Sequence, residues 1–565
     1  MHRTRAYLTE VTSPFAERPI TVADRIIARV AEHSDHVFGV GGANIEDLYD
    51  AVQHSAAPIT GIVAKHEFGA ATMADGYARA TNRLGVVAAT SGGGALNLIA
   101  ALGESYDSRV PVLALVGQPP LAVEGRGAFQ DTSGGAGRLD AERLFGSVAR
   151  YCAKITEVGD LAARLSEAIA AALSGGPAVL LLPKDIQTAV APDELEGFGP
   201  PVRFDAARQQ SSAVPTGVAA GPGPVVIIAG PEIARAEARA ELEVCAVAVG
   251  AKVLVTPDAK DAFANDHPLF GGVVGIMGHP HAGELIGDAA QVVLAGTAMP
   301  MLARAGLEAA LASCPRVLHL GVEAPFVPVH ERVPTPLGRG LLDLAAMLSA
   351  GNGTIPRIES TSIPVHRVPP ASGPGVRYRD AVETIAARLE PGTDVVADAG
   401  NTGAAVVHHL PVPEDGRFLI ALGMGGMGYA FGAGIGSALG RRRRTFVIAG
   451  DGAYFMHGHE VHTAVEHHVP VTFIVFNNNA HAMCVTREQL YFTGDYTFNR
   501  FGAARIGDSV AAMFPHLPAY ATTTVAEFAA ALDETRTVPG PVFIEIACDP
   551  DEIPPFAPFL KEFSA

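Results

Sequence analysis

Short apolar runs alternate with amphipathic segments along the first third of the chain. Apolar residues that recur every three to four positions predict helices over residues 21–31 and 45–53. Short apolar runs bounded by glycine or polar residues predict strands at 37–40 and 62–64. Strands that alternate with helices are typical of a parallel sheet covered by helices, so the region is predicted to be an α/β domain.

The same alternation recurs in two later parts of the chain. Further strands are predicted at residues 225–230, 252–256, 292–296, 446–449 and 471–476, and another begins at Val395. Stretches rich in Pro, Gly, Ala or Ser at 189–224 and 351–375 indicate linkers. The predicted fold class is therefore α/β with three domains of parallel sheets flanked by helices, at 20–188, 205–350 and 375–550.

The clearest chemical signal lies at the ends of two predicted strands in the last domain. One strand ends in Gly450-Asp451-Gly452, a helix is predicted over 460–468, and the next strand ends in three asparagines that include Asn478. Because the carboxyl ends of parallel strands share one edge, Asp451 and Asn478 are predicted to meet at a ligand crevice. Carboxylate, amide and carbonyl oxygens suit Mg²⁺ or Ca²⁺, although each motif alone is also compatible with a turn or a loop.

A glutamate occupies a similar position in the first domain. Glu67 follows the predicted strand at 62–64 and opens a helical segment. A negative charge in the first helical turn is worth about 0.3–1 kcal/mol against the helix dipole, so this position has a structural explanation as well as a catalytic one.

Composition and charge restrict the classes of partner. The 565 residues are 48% hydrophobic and carry a formal charge of −18, which argues against a nucleic-acid or anionic-membrane surface. The arginine run at 441–444 is predicted to be a solvated turn. The five scattered cysteines form no CxxC pair, which indicates a reducing compartment and no zinc site. No apolar segment is long enough for a signal peptide or a membrane span, so a cytoplasmic protein without a membrane partner is expected.

Several segments in succession resemble one enzyme family. Gly-Asp-Gly followed after roughly 25 residues by Asn-Asn resembles the metal and diphosphate motif of thiamine diphosphate (ThDP) enzymes. Residues 65–79, 85–97 and 127–131 resemble the pyrimidine-binding domain of the acetolactate synthase and pyruvate oxidase group. The resemblance extends over about residues 21–549 and implies pyrimidine, middle and diphosphate domains in that order.

The resemblance implies specific roles in cofactor chemistry. The family glutamate that matches Glu67 hydrogen-bonds N1′ of the aminopyrimidine and promotes its imino tautomer. Phe129 and Gln130 match residues that line the substrate side of the thiazolium ring. The side chains of Asp451 and Asn478 and the carbonyl of Ala480 are implied ligands of Mg²⁺. The implied cofactor contacts are Asn401 and Thr402 at the diphosphate, Gly425 at the 4′-amino group, Met427 between the two rings, and Gly452, Ala453 and Met483.

The chain departs from the family pattern in three places. Glycine replaces the usual proline of two loops, in Gly39-Val40-Gly41-Gly42 and Ser91-Gly92-Gly93-Gly94, which makes both loops more permissive. The middle domain has no compact Gly-x-Gly-x-x-Gly, so FAD, which some members bind, is not indicated but stays open. Arg487 stands where acetolactate synthases carry a tryptophan, and it is either a solvated helix residue or a ligand for an acidic substrate.

The resemblance implies an enzyme that acts on small molecules. The expected activity is decarboxylation of a 2-oxo acid with transfer of the acyl-anion equivalent to an acceptor carbonyl, by a homodimer or homotetramer. A decarboxylase or C–C lyase of the benzoylformate decarboxylase type is the alternative, for which His457, His459 and His481 leave room. A catalytically silent paralogue is a further alternative.

Overall fold

The computed structural model describes residues 19–191, 223–349, 362–495 and 498–561. Within these ranges the chain forms three six-stranded sheets in which every strand pair is parallel. Helices flank the sheets, which confirms the predicted α/β class. In the same ranges, no helix combines the length and the apolar character that crossing a bilayer requires.

The first sheet has the strand order β2-β1-β3-β4-β6-β5. Its strands are β1 (His36–Gly39), β2 (Thr60–Val63), β3 (Gly85–Ala89), β4 (Val112–Gln118), β5 (Tyr151–Lys154) and β6 (Pro177–Pro183). Its helices are α1 (Val22–Val30), α2 (Glu46–His54), α3 (Glu67–Thr81), α4 (Gly93–Asn97), α5 (Ile99–Asp107), α6 (Ala141–Phe145), α7 (Leu161–Leu173) and α8 (Lys184–Gln187). Helix α1 begins where expected because Thr21 and Asp24 form a reciprocal capping box.

The second sheet has the order β12-β11-β10-β7-β8-β9. Its strands are β7 (Val225–Ala229), β8 (Lys252–Val255), β9 (Phe270–Val273), β10 (Gln291–Ala295), β11 (Val317–Leu320) and β12 (Glu331–Val333). The helices are α9 (Glu232–Arg235), α10 (Arg239–Val249), α11 (Ala282–Gly287), α12 (Met301–Arg304), α13 (Glu308–Ser313) and α14 (Leu337–Ser349). Most of the two predicted linkers lies outside the described residues.

The third sheet has the order β14-β13-β15-β16-β18-β17. Its strands are β13 (Asp394–Ala397), β14 (Phe418–Ile420), β15 (Thr445–Gly450), β16 (Val471–Asn477), β17 (Ala519–Thr522) and β18 (Val542–Ala547). The helices are α15 (Tyr378–Ala386), α16 (Gly400–His409), α17 (Tyr429–Arg441), α18 (Asp451–His457), α19 (Val461–Glu466), α20 (Ala482–Tyr491), α21 (Ile506–Met513), α22 (Val525–Thr535) and α23 (Ala557–Leu560).

The first and third sheets share one topology. Numbered within each domain, both follow the order 2-1-3-4-6-5, so α3 and α17 are equivalent helices that each follow the second strand. These two helices pack against each other so closely that a Cβ on Gly76 would lie 2.2 Å from the Ala433 oxygen, and one on Gly436 would lie 1.9 Å from the Met73 oxygen. Glycine is required at such contacts, which join the first and third domains tightly.

Two local predictions differ from the structure. The helix expected over 460–468 is preceded by α18, which begins directly at Asp451, because an acidic residue in the first turn favours a helix start and Gly452 does not end the segment. The arginine run is not simply solvated: Arg441 pairs with the buried Asp394 at 3.1 Å, and Arg444 donates to the carbonyls of Val538 and Gly540.

Candidate active site

Glu67 lies at the carboxyl edge of the first sheet, as the first residue of α3. Its Oε2 accepts a hydrogen bond from Asn97 Nδ2 at 2.9 Å, and its Oε1 lies 2.9 Å from where a Cβ on Gly94 would stand. The His66 ring caps the helix by accepting from the Phe68 N–H. The carboxylate is half-buried and lies against the glycine-rich loop that follows β3.

Gln130 lies beside the same glycine-rich loop. Thr90 Oγ1 donates to its Oε1 at 3.3 Å, and its backbone adopts a φ of +57°, which L residues adopt at a cost in strain. The neighbouring Phe129 is 75% exposed, unusual for an aromatic side chain on a folded surface. We define the pyrimidine edge as the group formed by Glu67, Asn97, Phe129 and Gln130.

Asp451 and Asn478 meet at the carboxyl edge of the third sheet. Asp451 Oδ1 accepts from the Gly452 N–H at 2.9 Å, and its Oδ2 accepts from the Ala480 N–H at 3.2 Å. Asn478 Oδ1 accepts from that same Ala480 N–H at 3.0 Å, while its Nδ2 donates to the Tyr378 hydroxyl. The structure therefore brings together all three residues that the sequence predicts as metal ligands.

The Asp451 carboxylate has an unusual electrostatic position. It is 1% exposed, and no lysine, arginine or histidine pairs with it within the described ranges. Burial raises its pKa to about 7, although backbone N–H groups offset part of that effect. The described residues contain no cluster of three or more His, Cys, Asp or Glu side chains suited to a metal, so this set of one carboxylate, one amide and one carbonyl suits a hard cation that takes further ligands from elsewhere.

Helix α16 begins at the neighbouring strand end. Its N-cap, Ala399, supplies no side-chain cap, so the first N–H groups of the helix are available to an anion. Asn401 and Thr402 lie in this first turn and are each 3% exposed, and the Asn401 Oδ1 is buried with no hydrogen-bond partner among the described residues. We define the diphosphate edge as this turn together with Asp451, Asn478 and Ala480.

The loop before α17 lies beside the diphosphate edge. Gly425 (φ +65°) and Gly428 (φ +85°) adopt left-handed backbone conformations, and a Cβ on Gly425 would meet nothing within 4 Å. A Cβ on Gly452 would lie 3.1 Å from the Met427 Cε and 2.5 Å from the His481 Cδ2. Met427 therefore lies over Gly452 next to the His481 imidazole.

The remaining predicted residues lie on α18 and α20. Ala453 is buried in the core under the edge, and Met483 is partly buried in the first turn of α20. Arg487 follows Met483 by one helical turn, is exposed, and forms no ion pair with another residue of the described ranges. The pyrimidine edge and the diphosphate edge are not joined to each other by any hydrogen bond or ion pair between described residues of the one chain.

Several residues at the two edges were not predicted. The Asp398 carboxylate accepts from the N–H groups of Ala399, Gly428 and Ala430, and it follows β13 as Asp451 follows β15, so the strand-end argument could have found it. Glu460 accepts from the N–H groups of Lys65 and His66 and thereby holds the start of α3. It comes from nearly 400 residues further along the chain, and no local pattern indicates that contact.

The middle sheet has its own carboxyl edge, which faces a cavity of about 620 Å³ between the three domains. The Glu232 carboxylate, which is buried, accepts from the Val322 N–H at this edge at 3.1 Å. A Cβ on Gly230 would lie 2.4 Å from the Gly296 oxygen, so the loops after β7 and β10 pack directly on each other. This edge thus carries a buried carboxylate beside the cavity.

Comparison with known protein families gives three matches in order along the chain. Residues 20–136 match the family model described as thiamine pyrophosphate enzyme, N-terminal TPP binding domain. Residues 223–337 match the central domain of the same enzymes, and residues 398–546 match their C-terminal TPP binding domain.

Similar curated proteins extend over most of the chain. A probable acetolactate synthase large subunit of Methanococcus aeolicus is 25% identical and covers 94% of this chain and 93% of its own length. The acetolactate synthase isozyme 1 large subunit of Escherichia coli is 26% identical over 91% of this chain and 92% of its own length. The acetolactate synthase large subunit of Corynebacterium glutamicum is 26% identical over 85% and 79%, respectively. With all three domain models matched in order on three parallel sheets, the chain belongs to the thiamine diphosphate-dependent enzymes and is similar to their acetolactate synthase group.

Proposed function

We propose that this enzyme binds ThDP with Mg²⁺, decarboxylates a 2-oxo acid and transfers the acyl-anion equivalent to an acceptor carbonyl. The observation that carries the proposal is the presence in one chain of two complementary edges. One offers a buried carboxylate without a cationic partner beside two further oxygen ligands, and the other offers a half-buried glutamate at a helix start. Carboligation needs both functions, one to hold the cofactor and one to move its protons.

The diphosphate edge fits Mg²⁺ and a diphosphate group. Asp451 and Asn478 would hold the ion through side-chain oxygens and Ala480 through its carbonyl, and the ion would offset the uncompensated charge of Asp451. The N-terminus of α16, which contains Asn401 and Thr402, would bind phosphate oxygens through its backbone N–H groups, and the Thr402 hydroxyl would be a further donor.

The loop before α17 fits the ring part of the cofactor. Gly425 is exposed and a Cβ there would meet nothing within 4 Å, so its carbonyl would be the group offered to the amino group of the cofactor. Met427 and Gly452 are in contact with no room for a larger side chain at position 452, which supports a shaped apolar surface for the rings, with Met483 nearby on α20. When bound, ThDP supplies the carbon nucleophile that adds to the carbonyl of the 2-oxo acid.

Glu67 would hold and return a proton at the pyrimidine. Its hydrogen bond from Asn97 fixes one carboxyl oxygen, and the other oxygen lies against Gly94, where only glycine leaves it room. Phe129 and Gln130 would contact the substrate, and the Thr90 bond orients the Gln130 amide.

We further propose that the active unit is at least a homodimer. The two edges make no direct hydrogen bond or ion pair within the described part of one chain, and Phe129 is largely exposed. A second copy that covers the pyrimidine edge with its diphosphate edge would complete two equivalent sites in a closed, twofold assembly. An active species with the mass of a monomer in light scattering would contradict this proposal.

The substrates would be small and carbonyl-containing, with an acidic preference. Arg487 lies one turn beyond Met483 and has no carboxylate partner within the described ranges, so its planar fork is free to bind a carboxylate or phosphate. FAD is not part of the proposal, because the buried Glu232 carboxylate at the carboxyl edge of the middle sheet would repel a diphosphate group placed beside it.

One observation favours a second candidate function. The His481 imidazole lies beside Met427 and packs edge-on against Phe501 at 4.7 Å, so an imidazole would face the reacting centre. An imidazole there could protonate the acyl-anion equivalent and release an aldehyde, as a 2-oxo acid decarboxylase or C–C lyase would.

The experiment that tests the proposal is a product screen. Purified protein with ThDP and Mg²⁺ would be incubated with a panel of 2-oxo acids, alone and with aldehyde or oxo-acid acceptors, while CO₂ and products are quantified. We expect CO₂ release together with a 2-hydroxy ketone product. Aldehyde as the sole product would favour the decarboxylase, and no CO₂ from any donor would refute both.

A further inference from the structure

A buried polar network joins the first domain to the loop that carries Gly425 and Met427. Glu104, on α5 of the first domain, is 3% exposed. Its Oε2 accepts from the Met424 N–H at 2.6 Å, and its Oε1 accepts from the Ser108 hydroxyl at 2.7 Å and more weakly from the Gly423 N–H at 3.4 Å. One carboxylate thus satisfies two successive backbone donors of another domain.

Helix α3 supplies the rest of the network. Arg79 bridges the Glu104 and Asp75 carboxylates, with contacts of 3.1 and 2.6 Å. Asp75, which is 1% exposed, also accepts from the hydroxyl of Tyr429, the first residue of α17, at 2.6 Å. Burial alone would raise the pKa of Glu104, but Arg79 and the Met424 N–H hold it below its usual range, so the group stays an anionic acceptor.

The far end of the same loop is held from within the third domain. Asp398 accepts from the Gly428 N–H at 3.0 Å and from the Ala430 N–H at 2.9 Å. Carboxylates therefore hold both ends of the loop. Between these ends, a Cβ on Gly425 would meet no atom within 4 Å. Loss of either carboxylate would leave backbone N–H groups of the loop without their acceptors.

We propose that Glu104 is a positioning residue that sets, from the first domain, the orientation of the loop that carries Gly425 and Met427. This inference rests on the proposed function, since the loop matters to catalysis only if it holds the cofactor rings. Because Arg79 and Asp75 lie on the helix that begins with Glu67, the network ties the position of the ring-binding loop to that of the Glu67 carboxylate of the same chain, which in the proposed dimer would act on the second cofactor. Glu104 itself would touch neither cofactor nor substrate.

The first test is amide hydrogen exchange of the cofactor-free protein. In Glu104→Ala, exchange of residues 423–428 should rise at least about tenfold, because the Met424 N–H loses its acceptor. Glu104→Gln keeps one acceptor oxygen, so the exchange of residues 423–428 should rise less in this variant. Glu323→Gln is the matched control, since Glu323 forms another interdomain ion pair, with Arg109 at 3.0 Å, that does not contact the loop. Unchanged loop exchange, or an equal rise throughout α3 and α17, would overturn the proposal.

The second test separates positioning from binding. ThDP affinity measured by calorimetry should change less than about threefold in Glu104→Gln, because the diphosphate edge is untouched. The kcat and the proton exchange at carbon 2 of bound ThDP should fall about tenfold or more while KM is unchanged, as expected for misaligned reacting groups. Wild-type carbon 2 exchange in Glu104→Gln and Glu104→Ala would refute the role. A wild-type enzyme inactive on every 2-oxo acid would refute the proposed function instead, and the loop exchange of the cofactor-free protein would still decide the role of Glu104.

Discussion

The pyrimidine edge and the diphosphate edge are built on sheets of identical strand order, yet they differ in how far one chain completes them. At the diphosphate edge, Asp451, Asn478 and Asn401 are 1%, 6% and 3% exposed and are held by backbone N–H groups or tight packing. At the pyrimidine edge Glu67 is half-buried and Phe129 is 75% exposed. The same scaffold thus yields one edge that is largely buried within one chain and another that remains exposed and that the proposed second copy would cover.

The difference arises from the segments that leave the carboxyl ends of the strands. In the third sheet the ligand edge lies between β13 and β15, where the strand order changes direction, and two helices begin there without side-chain caps. In the first sheet the equivalent positions lead into the loop at 39–42 and into Ser91-Gly92, which is followed only by the five-residue helix α4; both segments are rich in glycine. Fixed helix starts pre-organise an anion site, whereas glycine loops leave room for a reacting group.

The largest expected effect is on turnover at the pyrimidine edge. Glu67→Gln should lower kcat by about 10²–10⁴-fold while ThDP affinity and thermal stability stay near wild type, because the amide cannot transfer the proton. Measurement of kcat and of carbon 2 exchange with bound ThDP checks this outcome. Glu466→Gln, which alters an exposed carboxylate paired with Lys65, is the control. Carbon 2 exchange at the wild-type rate would show that Glu67 has no such role.

The complementary change at the diphosphate edge should act on binding. Asp451→Asn should weaken Mg²⁺-dependent ThDP binding by about 100-fold, since it removes the only charged ligand of the proposed ion. The melting temperature of the metal-free protein should not fall, because an uncompensated buried charge is removed. Chelation of Mg²⁺ from the wild type should reproduce the loss of ThDP binding.

Asp533→Asn is the control for this variant, because Asp533 forms an exposed ion pair with Arg388. Unaltered ThDP affinity in Asp451→Asn would place the metal elsewhere. If Glu67→Gln and Asp451→Asn both lowered ThDP affinity and left kcat unchanged, the two edges would not differ in function as proposed.

Mixing the two variants tests whether the edges meet across chains. Random assembly of Glu67→Gln with Asp451→Asn subunits should restore about a quarter of wild-type activity, because half of the dimers are mixed and each mixed dimer has one intact site of two. If Glu67 and Asp451 of one chain served one cofactor, no intact site could form. Activity that stays at the level of the separate variants would therefore exclude the proposed shared site. A mixture of wild type with the Asp533→Asn control fixes the upper limit of the assay.

The sequence predicts much of the structure of the two edges. The features that it does not predict depend on contacts between residues far apart in the chain. Periodicity predicted strands near β1, β2, β15 and β16 within one to two residues, because their apolar runs are bounded by glycine or polar residues. Asp451 and Asn478 could be brought together because parallel strands share an edge.

Contacts from one domain to another leave no comparable local signal. Glu104 reaches Met424 across 320 residues, and Glu460 reaches Lys65 across 395. Each of these carboxylates looks like an ordinary helix residue in the sequence. Only Asp398, at a strand end, shares the pattern that revealed Asp451.

A histidine cluster at the C-terminal end of α16, opposite the diphosphate edge, should make the stability of the protein depend on pH. This helix ends in a cluster of five histidines at the junction with the middle domain, namely His279, His281, His366, His408 and His409. The charged neighbours of the cluster are Lys260, Arg379 and Glu383. Burial lowers the pKa of His408 to about 2 and that of His279 to about 3. Between pH 6.5 and about 3 these two histidines therefore bind fewer protons in the folded state than in the unfolded chain.

The contribution of these histidines to the free energy of unfolding should be highest above pH 6.5 and fall as the pH drops, by about 1.4 kcal/mol per pH unit for each histidine that stays neutral, whereas buried carboxyl groups with a raised pKa, such as Asp451, contribute in the opposite direction. His408→Gln preserves an acceptor for the His366 N–H and a donor for the Met277 oxygen, so its stability should depend less on pH. Melting temperatures from pH 7 to 4.5 check this, with the exposed His54→Gln as control. Equal pH slopes for wild type and His408→Gln would contradict the assignment.

The smallest expected effect concerns which substrate the completed site accepts. Arg487 is exposed on α20 one helical turn beyond Met483, and we propose that it contacts the substrate there. Arg487→Trp should lower kcat/KM for acidic donors or acceptors about tenfold, which corresponds to about 1.4 kcal/mol, and leave neutral substrates unchanged or improved. In Arg487→Lys, kcat/KM for acidic substrates should lie between the wild-type and Arg487→Trp values, because lysine keeps the charge but lacks the planar guanidinium group. Arg164→Trp, at an exposed helix position on the first domain, controls for the new indole. Efficient acetolactate formation by the wild type, with no acidic substrate lost in Arg487→Trp, would mean that Arg487 is a solvated helix residue and that the pyrimidine edge alone selects the substrate.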